Sequence, residues 1–409
     1  MRDQIRLRLW APPVVLAVLF VGATLPTPLY PLYSETFGFG QFTLTLIYAV
    51  YVLGNLIALL FFGRLSDQVG RRIGTAPAIG LGIFSTVLFL IADNVAWLFA
   101  GRIFSGFATG LGAGTATAWI AESQPRGDRA VAAALASAAN LAGLAVAPLL
   151  AGALARVAPA PLRLPYVVYL VLLVAAGAAV LRTPETVDKP VRRWVDLELH
   201  PRFGVPQKIR MAFLAPAVTA FATFALIGFY AALIPSLLRD SLGQSSPLVA
   251  GLVVFGLFGV ATAVTVLTAH LAERTAMLSG LALLPPSLAL LVAAQSLGSM
   301  LLLLGASAMA GVASALGYRG SLEVVNRIAP DGRRSEVVSS YLIAVYLGNS
   351  LPVIGIGVLS EWTSALAADW VFAGIITVLA AGALISGSVI IDRRSAHRLA
   401  ASRTSRLPS

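Results

Sequence analysis

Apolar stretches about twenty residues long recur along the chain, parted by short polar turns, and this recurrence limits the fold more than any other feature. Twenty helical residues rise about 30 Å, the thickness of a bilayer's hydrocarbon core. Such runs fall at 11–33, 43–62, 73–92, 97–120, 130–153, 164–182, 211–237, 247–269, 276–295, 298–320, 336–359 and 369–391. In lipid every backbone N–H and C=O needs an internal partner, so the runs are expected to be helices. Composition agrees: 58% of the 409 residues are hydrophobic and 11% are charged, against about a quarter charged in soluble domains. The reading is an all-α integral membrane protein with twelve spans. The basic start (Arg2, Arg6, Arg8) also fits a cleaved leader. The apolar run that follows reaches Tyr33, however, and is counted as a span.

The net charge of +11 is distributed by side rather than by patch. Of the 29 Lys and Arg, 25 fall in alternate loops and at the two ends, 3 fall in the remaining loops, and Arg102 lies within a span. The positive-inside rule then puts both termini in the cytoplasm of a multi-pass cell-membrane protein. It accounts for the basicity without a nucleic-acid partner. The chain lacks cysteine, its histidines (His200, His270, His397) are scattered, and its two lysines (Lys189, Lys208) sit in no phosphate loop. Disulfides, a thiolate or zinc site and ATP-driven pumping within this chain are thereby excluded. No cofactor or metal is expected, and no enzyme.

The halves repeat. Pro125-Arg126-Gly127-Asp128-Arg129 follows the fourth span and Pro330-Asp331-Gly332-Arg333-Arg334 the tenth, 205 positions on. Gly106 maps to Gly311 and Gly112 to Gly317 at the same offset, and Ala269-x-x-x-Glu273 stands where Gly63-x-x-x-Asp67 would recur. The expected organisation is a six-helix bundle at 1–182, a cytoplasmic linker at 183–210, a second bundle at 211–391 and a basic tail at 392–409. A pseudo-twofold axis relates the bundles, and a substrate site lies between them near mid-membrane.

The polar turn after the second span reads Gly63-Arg64-Leu65-Ser66-Asp67-Gln68-Val69-Gly70-Arg71-Arg72. Basic anchoring alone would need only its arginines. Its spacing resembles the loop signature of the major facilitator superfamily, Gly-x-x-x-Asp-(Arg/Lys)-x-Gly-(Arg/Lys)-(Arg/Lys), at Gly63, Asp67, Gly70, Arg71 and Arg72. It differs at Gln68, where the family carries a base. The resemblance implies two bundles that rock about a central site, with these residues as a gate that docks near Arg333, Arg334 and Glu336. Arg102-x-x-x-Gly106-x-x-x-Gly110 resembles a second family motif, in which the arginine is implicated in proton transfer. The plainer reading is glycine packing and an arginine that snorkels outward. Gly143-x-x-x-Ala147-Pro148-x-x-Ala151-Gly152 resembles the antiporter signature, with two alanines for glycines. Together these point to the twelve-span drug:proton antiporter branch.

Cavity-lining candidates are Pro28 and Tyr30 at an interruption of the first span, and Tyr48, Tyr51 and Asn55 on one face of the second. Asn140 in the fifth span and Tyr341 and Asn349 on one face of the eleventh complete the set. Such an aromatic lining favours lipophilic or amphipathic small molecules. No carboxylate falls mid-span, so proton coupling is expected through Arg102 or the helix-end acids Glu35, Glu122 and Glu323. Export by proton antiport, as a monomer, is the leading expectation. The alternatives are an uptake symporter or facilitator for a nutrient, and a transport-silent receptor.

Overall fold

A computed structural model describes residues 2–63, 65–124, 129–183, 185, 203–330 and 332–404, with the backbone alone described at 2–8, 65, 67, 129, 130, 133 and 389–404. Among the described residues, twelve helices are long and apolar enough to cross a membrane. They are α1 (Leu9–Phe37), α2 (Gln41–Phe62), α3 (Arg71–Leu90), α4 (Val95–Ser123), α5 (Ala134–Val157) and α6 (Leu164–Arg182). The second set is α7 (Gln207–Leu242), α8 (Pro247–Leu267), α9 (Glu273–Ser296), α10 (Met300–Ile328), α11 (Arg334–Trp362) and α12 (Ala365–Ser388). Several outrun their apolar cores. The last begins four residues before the charged residue taken as its start, because the Ser364 hydroxyl accepts from Ala367 N–H at 3.1 Å and caps it there.

The bundles are built alike. Within 1–182, α1 packs on α4, α5 and α6, α2 on α4, and α3 on α4 and α6. Each pairing recurs six helices later, as α7 on α10, α11 and α12, α8 on α10, and α9 on α10 and α12. The repeated glycines explain the match, since each removes a side chain where two backbones meet. A Cβ added at Gly106 would strike the Tyr51 carbonyl of α2, and one at Gly311 the Leu257 carbonyl of α8. Gly143 likewise admits the Ala17 carbonyl of α1, and Gly348 the Phe221 carbonyl of α7. Between the bundles α2 packs on α11 and α5 on α8, two contacts that the same sixfold shift exchanges. The architecture is thus two six-helix bundles related by a pseudo-twofold axis. Most of the linker and the 125–128 turn lie outside the described residues, and the backbone of the last helix continues to Thr404.

Candidate functional site

The centre is organised by the break in α1. Pro26 and Pro28 have no N–H, so the carbonyls four residues earlier, Gly22 and Thr24, lose their helical donors. The α-helix stops at Thr24, a 3₁₀ turn spans Thr27–Leu29, and the helix resumes at Tyr30. Two carbonyls at this break are taken up from α4: Ser105 Oγ donates to the freed Gly22 O at 3.1 Å, and Arg102 Nη1 to the neighbouring Ala23 O at 3.0 Å. Arg102 is wholly buried, 0% exposed, so it does not snorkel. Its guanidinium lies 4.2 Å from the centre of the Tyr51 ring and 5.8 Å from that of Tyr48. A charge within the bilayer costs several kcal/mol. One charge-assisted hydrogen bond and two ring faces recover part of that, roughly 2–5 kcal/mol together. Among the described residues no carboxylate pairs with Arg102, and its Nε and Nη2 lack acceptors, as the buried Tyr30 hydroxyl lacks a partner. The centre therefore holds an uncancelled positive charge in an aromatic shell.

Tyr48 joins this shell to the other bundle, donating to Asn349 Oδ1 on α11 at 3.0 Å. Asn55 Nδ2 donates to the Tyr51 hydroxyl at 3.3 Å. Gly106 and Gly110 bring α4 against α2 and so set Arg102 over Tyr51. Asn140 is half-buried. Tyr341, one face with Asn349 by spacing, points elsewhere: its hydroxyl meets Ser321 at 2.8 Å and donates to Tyr318 O at 3.3 Å, inside the second bundle. The packing of α10 fixes its direction, which periodicity alone does not give.

The bundles close on each other toward the end that holds residues 35–45 and 239–247. Thr27 Oγ1 donates to Ala231 O of α7 at 2.9 Å, a carbonyl left free because Pro235 has no N–H to offer it. Arg239 Nη1 meets Glu35 Oε1 at 3.3 Å. The antiporter-like stripe splits its contacts: Gly143 faces α1 in its own bundle, whereas Gly152 meets Pro247 and the Pro148 carbonyl meets Gly251, both across to α8. Thr45 packs on Gly357. The crevice left along this seam, lined by Pro28, Pro235, Arg239 and Pro247, measures about 10 Å³, room for at most one water.

At the opposite end Gly70 adopts φ +103°, open to glycine, and starts α3. Glu185 caps that start, accepting from the backbone N–H of Arg71 at 2.7 Å and of Arg72 at 3.0 Å, an anion on the positive end of a helix dipole. The Arg71 side chain is buried and donates to Glu122 from Nη2 at 2.6 Å and from Nε at 3.1 Å, and to Ser66 Oγ from Nη1 at 2.7 Å. Gly63 ends α2 where Gly114 of α4 passes its carbonyl. The second bundle carries the same contact with its charges exchanged, Glu273 with Arg327. Arg333 pairs with Glu336 at 2.7 Å, and Arg334 donates to Asn326 at 2.9 Å. The Asp67 side chain lies outside the described residues, and so does the docking expected of it.

The twelve-helix, two-bundle membrane fold has a counterpart in sequence. The profile of the Major Facilitator Superfamily fits residues 14–351. The chain belongs to the Major Facilitator Superfamily, a family of transporters. The quinolone resistance protein NorA of Staphylococcus aureus is 28% identical over 142 residues, 34% of this chain and 36% of that protein. The match therefore spans about a third of the curated relative's length. Among solved structures, a D-xylose–proton symporter superposes with a TM-score of 0.73 at 16% identity, over 93% of this chain and 97% of that one. A bacterial homologue of the lysosomal transporter Spinster, solved inward-facing and unoccupied, gives 0.68 at 17% identity over 99% and 98%. These likenesses are of fold.

In this transporter the three acids expected to couple protons sit at helix ends, each beside an arginine. Glu35 is 62% exposed against Arg239, Glu122 holds Arg71, and Glu323 is 47% exposed and 4.0 Å from Arg319. Sequence reasoning passed over Glu185, in the proline-rich linker, and Asp369, read as the edge of the last span. The Ser364 cap is the signal that places Asp369 one turn inside α12, where it is 4% exposed.

Proposed function

We propose that this transporter exports lipophilic or amphipathic small molecules from the cell by proton antiport, through alternating access of a site between the bundles. The observation that carries the reading is the sealed seam. It is made of α1 on α7, α2 on α11 and α5 on α8, held by single hydrogen bonds, one exposed ion pair and glycine contacts. Contacts of that kind separate at a cost of about 1 kcal/mol or less each. Both termini are cytoplasmic in this reading, so the seal faces outward and the Arg71–Glu122–Glu185 cluster faces the cytoplasm. That cluster, with Gly63 and Asp67, is the inner gate. The partial likeness to NorA and the placement of Gly152 and Pro148 at the seam support efflux over uptake. Tyr48, Tyr51, Asn55 and Asn349 line the site, and Arg102 supplies its positive field. The protein works as a monomer in the plasma membrane.

The test is flux in proteoliposomes under an imposed pH gradient, with a panel of lipophilic cations and neutral amphiphiles. Proton influx that drives substrate the other way, abolished by a protonophore, is the expected result. Gradient-independent equilibration, or symport of a polar nutrient, would assign an uptake carrier instead. Ligand binding without flux would assign a receptor.

A further inference from the structure

Proton antiport requires a titratable side chain that changes charge as the protein changes shape, and a carboxyl is one such group. Glu35, Glu122 and Glu323 sit at helix ends, each beside an arginine. Asp369 is the one Asp or Glu among the described residues that is buried. It forms no ion pair there. Of the helices that pack on α12, α9 presents Gln295, whose side chain reaches the carboxyl. At this end α7 carries Arg239, which pairs with Asp240 of the same helix and with Glu35, and α11 carries Glu361, exposed beside Gly40. One turn beyond Asp369, Phe372 stacks on Phe229 of α7 at 5.2 Å. Asp369 Oδ1 and Gln295 Oε1 are both buried acceptors without a donor. An ionised carboxylate leaves both unsatisfied, at several kcal/mol for a charge so placed. A single proton on the carboxyl removes the charge and adds the missing donor.

We propose that Asp369, with Gln295 as its neighbour, is a proton-binding site, filled from the outer side and held as the neutral acid while the outer seam is closed. The α7 helix links the two events. It packs on α12, bears the seam contacts at Ala231 and Arg239, and carries Pro235 between them, where a missing backbone bond lets it bend. Opening the seam moves this segment and admits water, and the carboxylate then takes or yields its proton to that water. Protonation at the outer face thus favours closure, the step that follows substrate release in an exporter. The inference rests on the antiport reading for its role, though not for the existence of the site.

Two measurements on the full chain in liposomes separate them. Infrared titration of wild type is expected to show a protonated-carboxyl band at neutral pH that fades as pH rises, and Asp369→Asn to lack it. With ethidium as a lipophilic-cation probe, Asp369→Asn should lose gradient-driven flux by about tenfold or more while gradient-free exchange stays within about twofold. Asp369→Glu should restore gradient-driven flux in part. A band that persists in Asp369→Asn overturns the proton site. An Asp369→Asn variant with wild-type gradient-driven flux overturns its role in coupling. If wild type shows the band yet moves no probe with the gradient, the site stands and the antiport reading falls.

Discussion

Two glycines ten residues or fewer apart on α5 separate seam from scaffold. At Gly152 an added Cβ would stand 3.0 Å from Leu248 Cα and closer still to the Pro247 carbonyl, both on α8 across the seam. At Gly143 it would stand 2.9 Å from Phe20 Cβ and closer to the Ala17 carbonyl, both on α1 in the same bundle. Backbone cannot swing aside as a side-chain tip can, so each Gly→Ala change costs about 1–3 kcal/mol of overpacking, against roughly 1 kcal/mol of helix propensity gained. For Gly152→Ala the overpacking exists only while the seam is closed. The propensity gain is present in both states and cancels from the equilibrium between them. A differential of about 1–3 kcal/mol shifts that equilibrium roughly 5- to 150-fold toward the state in which the seam is open. For Gly143→Ala both terms act in every state, and only overall stability moves. The chain has no cysteine, so spin labels at Asp93→Cys and Leu297→Cys, exposed positions in the α3–α4 and α9–α10 turns of the two bundles, report the opening without background. Gly152→Ala should add a longer-distance population that Gly143→Ala does not. Equal distance distributions in the two variants, or a shift in Gly143→Ala alone, would refute the division of α5 into seam and scaffold faces.

Further outcomes follow from the site geometry. Arg102→Met should leave thermal stability within about 2 kcal/mol, because the recovered desolvation offsets the lost hydrogen bond and ring contacts, yet abolish transport; unfolding would show that the charge is structural. Glu122→Gln removes the carboxylate charge that the buried Arg71 guanidinium meets and should cost about 1–2 kcal/mol in thermal unfolding. Glu35→Gln removes an exposed pair worth under about 1 kcal/mol, so melting should be unchanged and outer opening slightly more frequent by the same spin labels. Tyr48→Phe deletes the bond to Asn349 between bundles and should change turnover rather than expression; an unchanged rate would remove that bond from the cycle.

What the sequence disclosed was whatever repeats or has a fixed length. A span must be apolar for about twenty residues whatever surrounds it, so twelve helices are legible one by one. The glycine correspondences are legible because close helix contact imposes the same residue twice, and Gly106 and Gly311 indeed meet equivalent carbonyls. Neighbours across the chain were not legible. Periodicity put Tyr341 and Asn349 on one face, but α10 claims the first and Tyr48 the second.

Arg102 shows why the remaining ambiguity was physical rather than a matter of closer reading. Five residues from a boundary, an arginine is equally able to reach water or turn inward, and nothing in its own helix decides. The decision is made 79 positions away, where the break in α1 ends the helix at Thr24 and the buried Ala23 carbonyl accepts from the guanidinium. Asp369 follows the same logic from the other direction. Hydropathy treats the first charge met as the end of a span, although a serine cap four or five residues earlier already starts the helix and carries that charge inside. In both cases a polar side chain is buried because a distant or flanking backbone group rearranged the helix ends. The groups most able to do chemistry in this protein are therefore the ones a hydropathy profile assigns to its margins.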